Sequence, residues 1–515
     1  MFISKSMEDK ARSERAETVP NSSRARTDKS STKTRKFGEI KFLGVGIVII
    51  ALGNFFLKYL ELSNFHRNGH FLTDYFTSVN SGAYLDSLLN APWKLLLPVE
   101  IGPESIRWTT TGMIPLAASN HLLGVDTTFY LLNTLLIVSS LLTSWFVFRS
   151  KVFSLTFAIC MGFGTQFLWH YSNSSIALLY LFVIYAEINL LALYYIFKSQ
   201  NHQILFKTIF ILSLIALALC WEMWLDYFVF LFLFSLILFF IFRKRKEEVF
   251  LRQTKFILIS SVCIAFVYFL VKFTYSSGIS EHLTQGHEGE TILTYLINNP
   301  SISYLIIAVE DMISNIITYT YIALTNYFPL PFMFSLSLVY LGKDAIISNQ
   351  YGFGASLGSA DFVYYHHVFL WYFGAGILFA IFCYFLLKYL IQSFKNPTPH
   401  SLILSSLLFM IATGAFTHDL IKYRLFLSVP IFSYKCIVSI VGVALLISYL
   451  LMYLQNRIRN KEIFFLVLGA SWLVIVIASF TKPALLSNML SLLKVGISYP
   501  NPLTELAIRL HHLLP

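Results

Sequence analysis

Tyr227-Phe-Val-Phe-Leu-Phe-Leu-Phe-Ser-Leu-Ile-Leu-Phe-Phe-Ile-Phe-Arg-Lys-Arg-Lys246 decides the fold: sixteen uncharged residues run directly into four cations. A bilayer-crossing helix needs about 20 predominantly apolar residues. Lipid leaves backbone amides no partner outside a helix, so this run reads as a membrane span, 225–242, stopped by a basic cluster. Ten more apolar runs lie outward of it, near 42–60, 127–148, 152–169, 175–197, 205–221, 256–274, 368–390, 401–417, 425–454 and 463–481. The predicted fold is an all-α polytopic membrane protein with about 11 transmembrane helices. The range is 11–13, because 303–341 is apolar enough to hold two further spans. Its Glu310, Asp311, Pro329 and Pro331 favour helices lying along the interface instead.

Composition agrees. Of 515 residues, 56% are hydrophobic and 13% charged, against about a quarter charged in a soluble domain. That excludes an ordinary soluble enzyme, a disordered chain and a disulfide scaffold. The five cysteines, Cys160, Cys220, Cys263, Cys383 and Cys436, all fall inside predicted spans with neither metal nor disulfide spacing. They read as small apolar core residues.

The net charge of +11 is a topology signal. With the N-terminus inside, the inner connections carry Arg149, Lys151, Lys198, Lys207, Arg243–Lys246, Arg252, Lys255, Lys388, Lys395, Arg457, Arg459 and Lys461. With the 1–41 tail these make 26 of the 38 basic residues, as the positive-inside rule requires. Anionic lipid headgroups account for the rest of the inner clusters' role, and no nucleic acid is implied. Eleven spans place the C-terminus outside. Three regions follow: a disordered basic cytoplasmic tail, 1–41; a transmembrane domain, 42–482, with long outer loops at 61–126 and 275–367; and an outer amphipathic segment, 483–515. In the last, apolar residues at 503, 506, 507, 510, 513 and 514 have helical spacing.

The first outer loop is the most informative. It begins Phe65-His-Arg-Asn-Gly-His-Phe-Leu-Thr-Asp-Tyr-Phe-Thr-Ser-Val-Asn-Ser-Gly-Ala-Tyr-Leu-Asp-Ser-Leu-Leu-Asn90, with Asp74 shortly after the first span. A helix follows, carrying Val79, Ala83, Asp86 and Asn90 on neighbouring turns. The loop passes Glu100 and Glu104 and ends in Trp108-Thr-Thr-Thr-Gly-Met-Ile-Pro-Leu-Ala-Ala-Ser-Asn-His-Leu-Leu-Gly-Val-Asp126.

This arrangement resembles the glycosyltransferase-C superfamily of membrane enzymes, in topology over most of the chain and in local motif over about 70–150. The shared features are an inside N-terminus, an acidic residue soon after span one, a surface helix, and a Pro-Leu…Leu-Gly stretch, here Pro115 to Gly124. Asp74-Tyr75 stands where the family often has Asp-Glu, which weakens a metal-dependent reading; a divalent metal stays open but is not indicated, and no other cofactor is implied. The resemblance implies transfer of a sugar from a polyprenyl-phosphate donor to a glycan, lipid or protein acceptor at the outer or lumenal face.

On that reading Asp74 is the candidate general base, with Asp86 as a second catalytic candidate; otherwise Asp74 is a helix N-cap and Asp86 a solvated charge. Arg424, Lys422 and His418, in Thr417-His-Asp-Leu-Ile-Lys-Tyr-Arg424, are candidates for the donor phosphate; their alternative is contact with lipid phosphates. Other pocket candidates are Glu222 and Asp226, four apart in a short outer turn flanked by Trp221 and Trp224; His366 and His367, which as i and i+1 cannot share a metal on a helix; and His170 after Trp169. Glu187 lies mid-span, where an ionisable group is costly, and reads as a buried hydrogen-bond partner that Asn189 at i+2 cannot face.

Two alternatives stay open: a transporter or flippase of lipid-linked glycans, which needs ionisable residues along a central cavity, and a non-catalytic membrane-complex subunit. Short inner loops lean toward a bacterial inner membrane, with the endoplasmic reticulum as the eukaryotic equivalent.

Overall fold

Long apolar runs with helix-breaking turns between them can form only helices in lipid, and helices dominate the chain. The structure is a computed structural model that describes residues 44–48, 51–53, 78–90, 99–100, 106–107, 110–163, 178–199, 202–220, 224–276, 316–317, 320–321, 323–328, 361–395, 398–422 and 437–492. The elements in order are α1 (Ser78–Asn90), β1 (Val99–Glu100), β2 (Ile106–Arg107), α2 (Thr110–Leu123), α3 (Val125–Phe148), α4 (Lys151–Phe163), α5 (Leu178–Lys198), α6 (Gln203–Ala218), α7 (Trp224–Arg245), α8 (Glu248–Ser276), α9 (Asp361–Lys395), α10 (Pro399–Lys422), α11 (Ile437–Arg457) and α12 (Lys461–Leu492). The two strands pair only as Val99 with Arg107 and Glu100 with Ile106, a short antiparallel ladder in the first long loop.

Among the described residues seven helices are long and apolar enough to cross a membrane: Tyr130–Phe148, Leu178–Lys198, Trp224–Arg245, Glu248–Leu270, Gly376–Lys395, Ile437–Arg457 and Lys461–Ala478. Shorter apolar helices at Gly44–Gly53, Lys151–Phe163, Gln203–Ala218 and His400–Ala415 coincide with the other four apolar runs. In the first of these, residues 49 and 50 lie outside the described set; a Cβ on Gly46 would sit 3.1 Å from Leu155, which places this segment beside α4.

Turn chemistry sets the hairpins. Arg149 ends α3 in the left-handed conformation, φ 53°, with its N–H on the Trp145 carbonyl. Lys246 does the same after α7, φ 58°, and its neighbour Glu247 donates to the Phe242 carbonyl while Lys246 donates to Arg243. That pair of bonds is a Schellman C-cap. Thr398 and Ser401 cap α10 reciprocally, each side chain accepting from the other's backbone N–H, with Pro399 at the first helical position.

These basic turns meet at one end of the bundle. The end of α5, the end of α7 and the start of α8 touch through Phe197, Phe242 and Phe250, whose ring centroids lie 5.2–6.3 Å apart. The ends of α9 and α11 join the start of α10 around His400, which shares a 2.7 Å hydrogen bond with Tyr449 and stacks on Tyr453 at 4.7 Å. Val152, Leu451, Phe464 and Leu468 bring the starts of α4 and α12 to the end of α11. Residues 149–150, 199, 202, 246–247, 398 and 458–460 therefore share a face, called here the basic end.

Among the described residues the main core cluster runs from α2 to Ile475 of α12, stitched by polar groups inside the helices. Both oxygens of Glu187 accept from the Ser139 and Ser140 hydroxyls of α3. Two residues on, Asn189 turns to the other side: its amide donates to the Phe210 carbonyl and Ser213 hydroxyl of α6 at 2.9 Å and accepts from Tyr227 of α7 at 2.9 Å. A step of two on a helix rotates by about 200°, so α5 holds α3 with one residue and α6 and α7 with the next. Glu187 is thus the buried hydrogen-bond partner expected of it.

Several expectations are modified. Within 303–341, expected along the interface, residues Thr320, Tyr321, Ala323, Asn326 and Tyr327 are buried. Tyr327 reaches the Ile440 carbonyl of α11 at 3.4 Å. The phenol of Tyr327 thereby finds an acceptor inside the bundle, while its neighbour Phe328 is 45% exposed. Of the cysteines, Cys160 and Cys220 are in the core, whereas Cys263 is exposed and Cys383 half-buried; Cys436 lies outside the described residues. Helix α12 continues without a break to Leu492, through the 482–483 boundary expected from the sequence.

Candidate functional site

The site region is the end of the bundle opposite the basic turns, and α2 anchors it. α2 opens with Thr110-Thr-Gly-Met-Ile-Pro115 and carries proline inside the helix. Proline has no N–H, so the carbonyl four residues earlier, that of Thr111, loses its helical donor. The Tyr185 hydroxyl of α5 supplies one at 3.1 Å. Thr111 also donates its N–H to the Leu219 carbonyl at 3.1 Å and its hydroxyl to the Ala216 carbonyl at 2.6 Å. The unpaired donors of one helix start are thereby matched with the unpaired acceptors of the α6 end.

Next to it, a Cβ on Gly112 would lie 2.7 Å from Leu178 Cδ2, 3.0 Å from Cys220 Sγ and 3.3 Å from the Cys220 carbonyl. Only glycine lets α2 approach this closely. At the other end of α2, Gly124 has φ +80°, a conformation open to glycine, and there the chain turns from α2 into α3.

Helix α1 packs across α2, with Gly82 against the His121 ring; a Cβ there would meet Nδ1 at 3.0 Å. Leu85 packs on the core, while Asp86 is exposed. Asp86 thus occupies the free face of a helix fixed by α2. Asp74 lies outside the described residues, as do Glu104, Glu222, His170 and Arg424. Glu100 pairs through its backbone in the short ladder.

Asp226 sits in the first turn of α7 and is buried, beside Trp224, which is fully buried against Tyr268 at 4.6 Å. The turn expected to show interfacial tryptophan anchors thus directs Trp224 into the bundle. The reason is the aromatic pocket made with Tyr268 and Phe269 of α8.

His418 and Lys422 stand on the last turns of α10, and His366 and His367 on the first turns of α9; the side chains of these four lie outside the described residues. α7 packs against α10. The end of α7 meets the start of α10 at the basic end, so the two are antiparallel. The Asp226 turn of α7 and the His418–Lys422 turns of α10 therefore belong to the same end of the bundle, together with the start of α2. Among the described residues no three His, Cys, Asp or Glu side chains gather as a metal site.

Reading the sequence missed the Thr111–Tyr185–Gly112 anchor. Its signal was present in part: Pro115 announces an orphan carbonyl at Thr111, but nothing in the sequence names Tyr185 as the donor. Family models, curated proteins and solved structures yield no match to this chain.

Proposed function

We propose that this protein is an integral membrane glycosyltransferase. It transfers a sugar from a polyprenyl-phosphate donor to an acceptor hydroxyl at the membrane face away from the basic turns. In this reading the basic end is cytoplasmic, the chain crosses eleven times from an inside N-terminus, and the catalytic face is periplasmic or lumenal.

One observation carries the reading. A short helix bearing an exposed carboxylate, Asp86, is clamped onto α2 at the same end of the bundle as Asp226 and the final turns of α10 with His418 and Lys422. Acidic and basic groups from distant parts of the chain thus share one membrane face, which suits a donor presented at the membrane surface.

The step is a single inverting displacement. The acceptor oxygen bonds to the anomeric carbon and its proton passes to the Asp74 carboxylate. The bond from the anomeric carbon to the phosphate oxygen breaks, and its electron pair leaves on the polyprenyl phosphate. Lys422 and Arg424 balance that charge.

Glu187 argues against the transporter reading. Among the described residues its carboxylate lies mid-span, yet both oxygens are occupied by serine hydroxyls of α3. It is a packing link between helices rather than a step on a polar path.

The test is transfer from a panel of polyprenyl-phosphate sugars in membranes, guided by mass spectrometry of lipids retained on the purified chain. Asp74→Asn abolishes transfer while leaving expression and thermal stability unchanged. Full activity in Asp74→Asn sinks the assignment.

A further inference from the structure

At the basic end, a cleft of about 430 Å³ opens between the last turns of α7 and α9. Lys244 and Arg245 line it from α7, Lys395 from the last residue of α9, and Thr398 from the capping turn of α10. Its apolar wall is Phe240 and Phe394, which are 50% and 39% exposed respectively.

Positive-inside topology accounts for cations near the ends of spans. It does not require three of them, from two helices distant in sequence, to surround one recess. Their convergence is costly by itself, because like charges in a shared cleft repel. Arg245 has a partner, Glu247, at 3.5 Å. Among the described residues neither Lys244 nor Lys395 comes within ion-pair reach of a carboxylate.

The recess is also built firmly. Lys246 holds the left-handed position of the α7 C-cap, where glycine is usual. The Thr398–Ser401 capping box fixes the opposite rim. A site of this kind, cationic at its base and aromatic at its lip, fits an anion that carries an apolar tail.

We propose that this cleft binds the phosphate of an anionic glycerophospholipid, with Lys244, Arg245 and Lys395 on the headgroup and Phe240 and Phe394 against the acyl chains. The Arg245 guanidinium offers paired N–H donors to phosphate oxygens, and the two lysines act as point charges. Basic pockets between span ends are where membrane proteins hold such headgroups. The exposed phenylalanines favour a lipid over a free phosphate, since a soluble anion gains nothing from them. The site is at the far end of the bundle from the sugar-transfer reading and does not depend on it.

The full chain is purified and reconstituted in nanodiscs of dioleoyl phosphatidylcholine with rising fractions of dioleoyl phosphatidylglycerol. Thermal stability is followed, and retained phospholipid is counted by native mass spectrometry. Phosphatidylglycerol raises the midpoint and is retained in preference to phosphatidylcholine; inorganic phosphate and glycerol phosphate at the same concentration have no effect. Lys244→Gln with Lys395→Gln weakens retention by about tenfold or more. Lys255→Gln, an exposed cation of the same end outside the cleft, leaves it unchanged. Each single variant is measured too, so a double variant that fails to fold does not remove the test. Equal retention of the two lipids overturns the proposal, as does wild-type retention in the lysine variants. A full effect from inorganic phosphate overturns the lipid as occupant and leaves a soluble anion in its place.

Discussion

Gly414→Ala is the sharpest probe of how the candidate face is held. α10 and α11 cross where Gly414 meets Ser439, and a Cβ there would lie 2.5 Å from Ser439 Oγ and 3.0 Å from Val438 Cβ. Ordinary carbon contacts lie at about 3.5–4.0 Å, so the helices must part by roughly 1 Å. Gly442 on α11 offers no slack, because a Cβ there would sit 2.9 Å from Ile411 Cγ1 and 3.3 Å from its backbone nitrogen. The closeness serves the bond from Ser439 Oγ to the Ile411 carbonyl at 2.6 Å. Small residues on facing helices do the same at other membrane crossings.

Overpacking costs about 1–3 kcal/mol and the weakened interhelical bond about 0.6 kcal/mol. Alanine returns about 0.5–1 kcal/mol of helix propensity. The net destabilisation is therefore about 1–3 kcal/mol. Gly414 also lies two turns before Lys422, so the displacement reaches the end of α10 and lowers any activity that depends on it. The assay is the denaturant midpoint of the full chain in detergent micelles, beside Gly469→Ala as control. A Cβ at Gly469 meets nothing within 4 Å, so that variant is neutral or up to about 1 kcal/mol more stable. If Gly414→Ala behaves like Gly469→Ala, the close crossing is not what holds this end together.

The remaining expectations concern the anchor and the mid-span carboxylate. Gly112→Ala places a methyl group 2.7 Å from Leu178 and 3.0 Å from Cys220; α2 lifts from the bundle at a cost of about 1–3 kcal/mol, read as a lower thermal midpoint and faster proteolysis near α2. Tyr185→Phe leaves the Thr111 carbonyl without its donor and costs about 1–2 kcal/mol. In a Pro115→Ala background the restored N–H serves that carbonyl, and a double-mutant cycle shows the Tyr185→Phe cost shrinking; an unchanged cost refutes the link between Pro115 and Tyr185. Glu187→Gln keeps a partner for each serine and costs under about 1.5 kcal/mol. Glu187→Ala leaves the buried Ser140 and half-buried Ser139 hydroxyls without this partner, and a void, and costs about 2–3 kcal/mol. If the proposed transfer is correct, both variants keep it unchanged per folded molecule; a well-folded Glu187→Gln that loses transfer shows that this carboxylate does more than link α5 to α3.

The helices were legible because lipid imposes a single rule: a run such as 225–242 must be helical. The basic cluster after it was not a break, since α7 runs on through Arg243, Lys244 and Arg245 and ends at Lys246. The pairing of Glu187 with a neighbouring helix was legible for the same reason, since an ionisable group in mid-span has to find partners. Its identity as a link to Ser139 and Ser140 was not, because serines are too common in spans to single out. The burial of Tyr327 was obscured by Glu310, Asp311 and two prolines in the same segment, which drew the whole stretch toward the interface, and residue type does not separate Tyr327 from its exposed neighbour Phe328.

Charge told more about the two ends of the bundle than about chemistry. Basic residues at short turns mark one face by topology alone, so neither Lys244 nor Lys395 carries a functional meaning in the sequence. That meaning arises only when α7 and α9 bring them to one recess where, among the described residues, neither lysine is within ion-pair reach of a carboxylate. At the other face the logic is reversed. Asp86 and Asp226 are acidic residues of similar standing in the sequence, yet one is set on an exposed helix face and the other is buried beside Trp224. A buried carboxylate bears on the packing of α7 with α8. An exposed one, on a helix that α2 clamps through Gly82 and His121, has no such packing role and faces outward. The difference between them follows from which side of each helix the tertiary fold covers, a property that residue type and spacing do not contain.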